Sequence, residues 1–339
     1  MGPIADGTVL VTGGGGFLGG AIVRRLMDRG VSVRSFSRSA YSELADLGVE
    51  QVQGDIADSR AVKDACEGIE LVFHTAALPG VWGDYDRFYR TNTLGTRYLI
   101  QACRETGVAR LVHTSSPSVV FNGTDMEGVD ESVPYPPRYH AHYPRTKALA
   151  EQAVKEAART GLPAVILRPH LIWGPGDRHL APRILERAAS LRIVGPGDNR
   201  VDTIYIDNAA DAHLSAAEAL KSNPDLSGGI YFISQDDPIN LWKMVNHILA
   251  AGDKPPVTRT ISHRTARTIG YALECLYRFF HLQGEPRMTR FVADELATAH
   301  WFDISAAKRD LGYRPSVSTE EGLRLLKGWL HKRPSKAAC

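Results

Sequence analysis

No run of roughly 18 apolar residues occurs anywhere in the 339-residue chain, so its sequence offers no membrane-spanning helix. The first residues also lack a basic stretch leading into an apolar one, and the expected compartment is cytoplasmic. Cysteine is scarce: Cys66, Cys103, Cys275 and Cys339 stand far apart, with no CxxC and no histidine cluster at ligand spacing. That pattern argues against a disulfide framework and against a metal site, and the thiols are expected to be reduced. A net charge of +2 creates no broad basic field, so nucleic acid is not an expected partner. Internal repeats and low-complexity segments are absent too. What remains is an ordinary globular composition, 43% hydrophobic and 23% charged, long enough for one large or two modest domains.

One stretch organises the rest. Val9-Leu10-Val11-Thr12 is a short apolar run that ends in glycines, and Ala21-Ile22-Val23-Arg24-Arg25-Leu26-Met27 follows with helical periodicity. Strand, tight turn and helix are therefore expected. Gly13, Gly16 and Gly19 fall three apart, which lets the backbone turn sharply and opens the helix N-terminus to a pyrophosphate. Phe17 and Leu18 sit inside that loop and are counted with it as cofactor-binding residues.

Further short strands recur at Val31–Phe36, Val49–Gly54, Leu71–Ala77 and Arg110–Ser115, with a long helix expected from about Asp86 to Glu105. Alternating strands and helices predict a parallel sheet covered on both faces, with ligands at the carboxyl ends of its strands. Residues 121 to 142 read as a long surface loop; helical periodicity returns from about Pro144 to Arg159, and Ala164–Leu167 reads as a buried strand. Residues 201 to 220 look like a return to the sheet. The expected division is therefore 1–175 plus 201–227 for the nucleotide-binding part and 176–200 plus 228–339 for a smaller, discontinuous substrate part. Within the latter, residues 264–282 place Ile269, Leu273, Leu276 and Phe280 at helical spacing beside Arg264, Arg267, Arg278 and His281. An amphipathic helix with a basic side is predicted, packed on the substrate cleft or lying on a membrane surface.

Tyr143 and Lys147 are four apart at a helix start, so both side chains share a face. A nearby ammonium lowers a phenol's pKa, and such a pair can exchange a proton with an alcohol or ketone. Ser115 and Ser116 close the fifth strand, where a hydroxyl could hydrogen-bond a substrate oxygen.

Taken together, Thr12-Gly13-xx-Gly16-xx-Gly19, Asp55-Ile56, His74-Thr75-Ala76-Ala77, Asn92, Ser115-Ser116 and Tyr143-xxx-Lys147 resemble the extended short-chain dehydrogenase/reductases over nearly the whole chain. Ser115–Phe121, Leu167–Gly176 and His300-Trp301-Phe302-Asp303 resemble the 3β-hydroxysteroid dehydrogenase and sterol-4-carboxylate 3-dehydrogenase branch, with its bacterial 2-alkyl-3-oxoalkanoate reductases. The resemblance implies an α/β fold, a Rossmann-type doubly wound parallel sheet with a smaller discontinuous C-terminal substrate domain. It further implies that Tyr143 is the proton donor or acceptor, that Lys147 holds the nicotinamide ribose and lowers the Tyr143 pKa, and that Ser116 binds the reacting oxygen. Asp55 and Ile56 would flank the adenine, Ala76 and Ala77 would line the cofactor, and Pro169 would face the carboxamide. Asn92 would be a cofactor-side or structural residue. Trp82, Ser118, His170 and Trp173 are the expected substrate residues.

The end of the second strand bears on the cofactor. A carboxylate there would repel a 2′-phosphate, and this chain instead has Ser37 followed by Arg38, which favours NADP(H) over NAD(H). Sugar-nucleotide enzymes of the superfamily generally carry an arginine just before a strand like Asp202–Asp207; here Val201 stands in that place, which weakens a sugar-nucleotide epimerase reading. The expected activity interconverts a ketone and a secondary alcohol on a large hydrophobic substrate, best as a 2-alkyl-3-oxoalkanoate reductase and otherwise as a sterol dehydrogenase. A non-catalytic dinucleotide sensor is the rival from outside the enzymes. Arg183, Arg187 and Arg145 are candidates for reading a substrate carboxylate. Peripheral membrane contact and a homodimer complete the expectations.

Overall fold

The computed structural model describes residues 4–332. Strands β1 (Thr8–Thr12), β2 (Val33–Ser37), β3 (Glu50–Gln53), β4 (Ile69–His74) and β5 (Arg110–Thr114) join Ala164–Pro169 and Ile230–Ile233 in one seven-stranded sheet. Every pairing is parallel, in the order Ile230–Ile233, Ala164–Pro169, β5, β4, β1, β2, β3. The order reverses between β1 and β4, and the crevice at that reversal is where such sheets receive ligands.

The pleat explains why both faces are covered. Val9 and Val11 of β1 join Leu71 and Phe73 of β4 in one apolar cluster, while Leu10 and Val72 between them join the other. The first cluster includes helix α1 (Phe17–Asp28) and the helix Ile206–Ser222; the second takes in Ser59–Cys66, Gly95–Thr106 and His142–Arg159. Near-continuous apolar strands of this kind demand helices on both sides, and the chain supplies them.

Three expectations are corrected. Strand Ile230–Ile233 pairs with Ala164–Pro169, so the boundary expected after residue 227 falls inside the large sheet's territory. Residues 201 to 206 do not rejoin that sheet: Arg200–Val201 and Ile204–Tyr205 pair in small separate sheets, although Ile204, Tyr205 and the following helix pack into the same core cluster. The loop expected over 121–142 contains strand Met126–Val129, which pairs with His300–Phe302 and ties the distal part of the chain to the nucleotide-binding part. Short strands of two to four residues carry too little periodicity to be read from sequence. Cys66 and Cys103 are buried and Cys275 exposed, all three as free thiols; Cys339 lies outside the described residues.

Candidate active site

The glycine loop has the shape its spacing predicts. Gly13 stands at φ +74° after β1, and a Cβ on Gly19 would lie 2.2 Å from the Gly13 carbonyl oxygen, so helix and loop meet backbone to backbone. Helix α1 follows its N-cap, Gly16, with no side chain capping its amides and no acid in its first turn. Its free N–H groups and dipole are thus left for an anion. At the end of β2, Ser37 Oγ is buried without a hydrogen-bond partner, and Arg38 is exposed with no carboxylate partner among the described residues. A dinucleotide's phosphate and ribose hydroxyls would answer all of these groups, so the residues fit such a cofactor. Asp55 is exposed and accepts the amide of Ala57, while Ile56 is buried under Gly95.

A hydrogen-bonded line fixes the end of β4 beside that loop. Thr12 Oγ1 accepts the Ala76 amide and donates to His74 Nδ1 at 2.8 Å; His74 Nε2 donates to Thr96 Oγ1 at 2.9 Å; Thr96 Oγ1 donates to the Asn92 carbonyl at 2.7 Å. Only one neutral tautomer satisfies that sequence of donors. Burial agrees, pushing the His74 pKa down to about 3.

Asn92 lies in a π-helical turn, Tyr89–Leu94, that interrupts the helix expected from 86 to 105. Its Oδ1 accepts the Leu78 amide at 2.7 Å, and its Nδ2 donates to the Leu78 carbonyl and to Thr146 Oγ1. The side chain is fully used by the protein. Of its two expected roles, cofactor-side and structural, the structural one is observed: Asn92 fixes the segment after Ala77 to the helix that carries Tyr143.

That helix runs from His142 to Arg159 and puts Tyr143 in its first turn. Lys147, one turn on, is buried and donates to the Thr114 carbonyl at 2.6 Å, which hangs the helix on the end of β5. Burial lowers the Lys147 pKa to about 8, against the opposing charge of Glu151. Tyr143 departs from expectation: burial raises its pKa to about 12, the Ser116 hydroxyl pulls it down, and Glu295 pushes it up. The two side chains share a helix face, as their spacing requires.

The two serines part company. Ser115 is buried and its hydroxyl donates to Glu151, which also accepts Tyr135 Oη at 2.6 Å and Arg168 at 2.6 Å. Ser115 is therefore committed to the protein interior. Ser116 faces Tyr143, with its hydroxyl 2.9 Å from that of Ser118, so Ser118 supports it. Sequence reasoning missed Glu151 and Arg168, although Glu151 follows Tyr143 and Lys147 on the same face at the next four-residue step.

Pro169 is buried at the end of its strand, and His170 follows it. His300 Nε2 donates to the Glu295 carbonyl at 2.9 Å, so His300 Nδ1 is bare and accepts from His170 Nε2 at 2.7 Å. Trp173 is no substrate residue: it is fully buried, stacks edge-on against Tyr205, and donates to Thr203 Oγ1. An aromatic after a strand gives the same sequence signal whether it faces a cleft or the core.

Beyond the reacting groups opens a cleft of about 1320 Å³. Its walls are the segment Leu78–Phe88, residues Arg138–His142 and parts of 267–291, including Trp82 and Tyr277. Tyr143 and Ser116 do not line it; it begins at Leu78 and His142, the residues that follow Ala77 and precede Tyr143. The amphipathic helix runs from His263 to Phe279, and its packed face is Ala266, Gly270 and Glu274 rather than the apolar stripe. A Cβ on Gly270 would meet the Thr289 backbone at 2.6 Å, so this helix closes tightly on its neighbour Arg290–Ala297. Ile269, Leu276, Phe279 and Phe280 are consequently exposed, Phe279 at 79%. Among the described residues no helix is long and apolar enough to cross a membrane, and no group of side chains is arranged to hold a metal ion.

None of the three expected carboxylate readers lines the cleft: Arg183 pairs with Glu285 at 2.6 Å, Arg187 donates to the Arg287 carbonyl, and Arg145 lies over Tyr85.

Residues 10–260 match the model of the 3-beta hydroxysteroid dehydrogenase/isomerase family. The chain is 50% identical to a 2-alkyl-3-oxoalkanoate reductase of Stenotrophomonas maltophilia (strain K279a), covering 94% of this chain and 98% of that one. It is 48% identical to the protein of the same name from Shewanella oneidensis, covering 94% and 85%. A sterol-4-alpha-carboxylate 3-dehydrogenase, decarboxylating, of Mus musculus is 32% identical, covering 96% and 92%. Among solved structures, MoeE5 in complex with UDP-glucose and NAD superposes with a TM-score of 0.74 at 25% identity, covering 96% of this chain and 99% of that one.

Proposed function

The chain belongs to the 3-beta hydroxysteroid dehydrogenase/isomerase family and is an oxidoreductase built on a dinucleotide-binding sheet; from that premise we propose that it reduces a 2-alkyl-3-oxoalkanoate to the 3-hydroxy acid. When bound, the dinucleotide supplies a hydride at its nicotinamide ring. This chain's residues do the rest. Ser116 donates a hydrogen bond to the C3 oxygen, and as the carbonyl pair moves onto that oxygen, the Tyr143 phenol delivers its proton there. Lys147 holds the ribose from the same helix face. Asn92 does not touch the reactants; it sets the position of the segment entering the cleft.

The observation that carries the reading is the Ser116 hydroxyl, backed by that of Ser118 at 2.9 Å and facing the Tyr143 phenol, a hydrogen-bond donor and a proton source set against one oxygen. NADP(H) is the proposed cofactor: Arg38, which has no carboxylate partner among the described residues, stands beside the orphaned Ser37 hydroxyl, and a cation there supports a 2′-phosphate over a bare ribose. Val201 is fully buried and Arg200 turns outward to the Pro238 carbonyl, which disfavours a sugar-nucleotide pyrophosphate at this strand. A sterol 4-carboxylate dehydrogenase is the second reading, favoured by the mouse relative. Both substrates carry a carboxylate one carbon from the reacting centre.

Peripheral contact with a lipid surface belongs to the same reading. Exposed Ile269, Leu276, Phe279, Phe280 and Leu282, flanked by exposed Arg264, Arg278 and His281, adjoin the cleft that would take a long-chain substrate. The deciding experiment follows nicotinamide absorbance with NADPH and NADH against a long-chain 2-alkyl-3-oxo acid and a 3-ketosteroid. Fast NADPH oxidation with the oxo acid supports the proposal; response to the steroid alone replaces it with the second reading.

A further inference from the structure

The cleft wall carries several cations, and most are neutralised by the protein itself. Arg267 pairs with Asp294 at 3.2 Å, and Arg290 pairs with Glu274 at 2.7 Å. Arg87, Arg138 and Arg278 have no carboxylate partner among the described residues. Of these three, Arg278 alone is held over an aromatic ring, with its guanidinium carbon 5.3 Å from the centre of Trp82. Trp82 is gripped a second time by Tyr277, edge to face at 6.3 Å. Two successive residues of the helix thus clasp the segment that follows Ala77. Stacking fixes the guanidinium plane while leaving its fork of N–H donors free.

Arg278 shares the cleft wall with His142, the residue that precedes Tyr143, and after burial its charge is the largest influence lowering that imidazole's pKa. Acidic side chains occur on the same wall, but Glu285 is occupied by Arg183 and the Val81 amide, and neither Asp84 nor Asp86, on the segment Arg278 clasps, makes an ion pair with it.

We infer that Arg278, clasped on Trp82, binds the substrate carboxylate by a bidentate ion pair and so selects β-oxo and β-hydroxy acids over the corresponding neutral compounds. The inference rests on the reading of the substrate as a 2-alkyl-3-oxo acid and adds the residue that recognises its charge. A planar fork matched to a carboxylate explains why this position needs arginine rather than any cation. Arg87 and Arg138, unstacked at the cleft wall, would serve only as diffuse charge.

The test uses the stable hydroxy acid, since the oxo acid loses CO₂ on standing. Oxidation of a long-chain 2-alkyl-3-hydroxyalkanoate and of its methyl ester by NADP⁺ is measured for the wild type, Arg278→Gln, Arg278→Lys and Arg138→Gln. NADPH binding by fluorescence checks that each variant is folded. For the acid, Arg278→Gln is expected to raise KM about tenfold to a hundredfold, the worth of a charged hydrogen bond. The ester's KM should stay unchanged, and Arg278→Lys should recover part of the loss. Equal loss with acid and ester would make Arg278 a structural clasp, and a selective loss in Arg138→Gln instead would move the site; either overturns the assignment. A wild type that turns over the ester and the acid alike, with no preference, overturns it as well. A wild type that turns over neither removes the reading of the substrate, and the assignment with it.

Discussion

The two halves of the site are built in opposite ways. On the cofactor side, Thr12, His74, Thr96 and Asn92 form one uninterrupted series of donors and acceptors, and Ser115, Glu151, Tyr135 and Arg168 form another. Most of the polar atoms in these two series are satisfied by the protein, with Arg168 Nη1 left over, and Ser37 Oγ is orphaned where a dinucleotide would bind. On the cleft side, aromatic rings and arginines face an open space of about 1320 Å³, and the helix closing it turns its apolar stripe outward. Saturated networks give rigid position; unsaturated walls give binding capacity. The contrast shows where this chain fixes its chemistry and where it leaves room for different substrates.

The sharpest way to test the contrast is Tyr143→Phe. It removes the proton donor and leaves the cofactor side untouched, so turnover should fall roughly a thousandfold or more while NADPH binding by fluorescence is unchanged. Undiminished turnover would break the mechanism.

Next comes Glu151→Ala. It strands the buried Arg168 guanidinium, and urea denaturation should show a loss of about 3–5 kcal/mol. A change as small as that of a surface ion pair would mean that the cofactor side is not the rigid half.

Arg38→Ala should raise KM for NADPH about tenfold and leave NADH nearly unaffected. Equal effects on the two would point to NAD(H).

The pH dependence carries a definite sign. Lys147, near 8, is charged below that value and neutral above it, while Tyr143 keeps its proton to about 12. Cofactor binding should therefore weaken above about pH 8 in both directions as Lys147 loses its charge, while kcat for oxidation, which needs the phenolate, should rise with pH. Glu295, held near 8 by burial with Asp294 adding to it, ionises in the same range and opposes phenolate formation. Glu295→Gln should shift the oxidation limb slightly downward in pH, the smallest of these effects.

The glycine loop and the Tyr143–Lys147 face were legible because each follows from a short-range rule, three-residue glycine spacing in one case and i,i+4 geometry in the other. The parallel sheet was legible from its apolar runs. Glu295 was not: it acts on Tyr143 across some 150 residues of sequence, and nothing local marks a glutamate as buried. Trp173 was misread because a large aromatic carries no sign of which side it faces. The outward turn of Ile269 and Leu276 was hidden for a related reason. Gly270 and Ala266 are the packing face, and small residues leave no hydrophobic signal of the close contact they allow.

The wide turn at Tyr89–Leu94 bears on how this chain can vary. A π-helical turn holds one residue more than an α-turn, and here both ends of the surplus are pinned, Asn92 to Leu78 and Thr146, Thr96 to His74. Removing a single residue would restore regular winding but rotate everything beyond it by about 100°, carrying one of those two side chains off its partners. Substitutions on the exposed face of this segment are tolerable; a change in its length is not. Homologous chains that keep the same arrangement should accordingly align here without gaps, even where their residues differ.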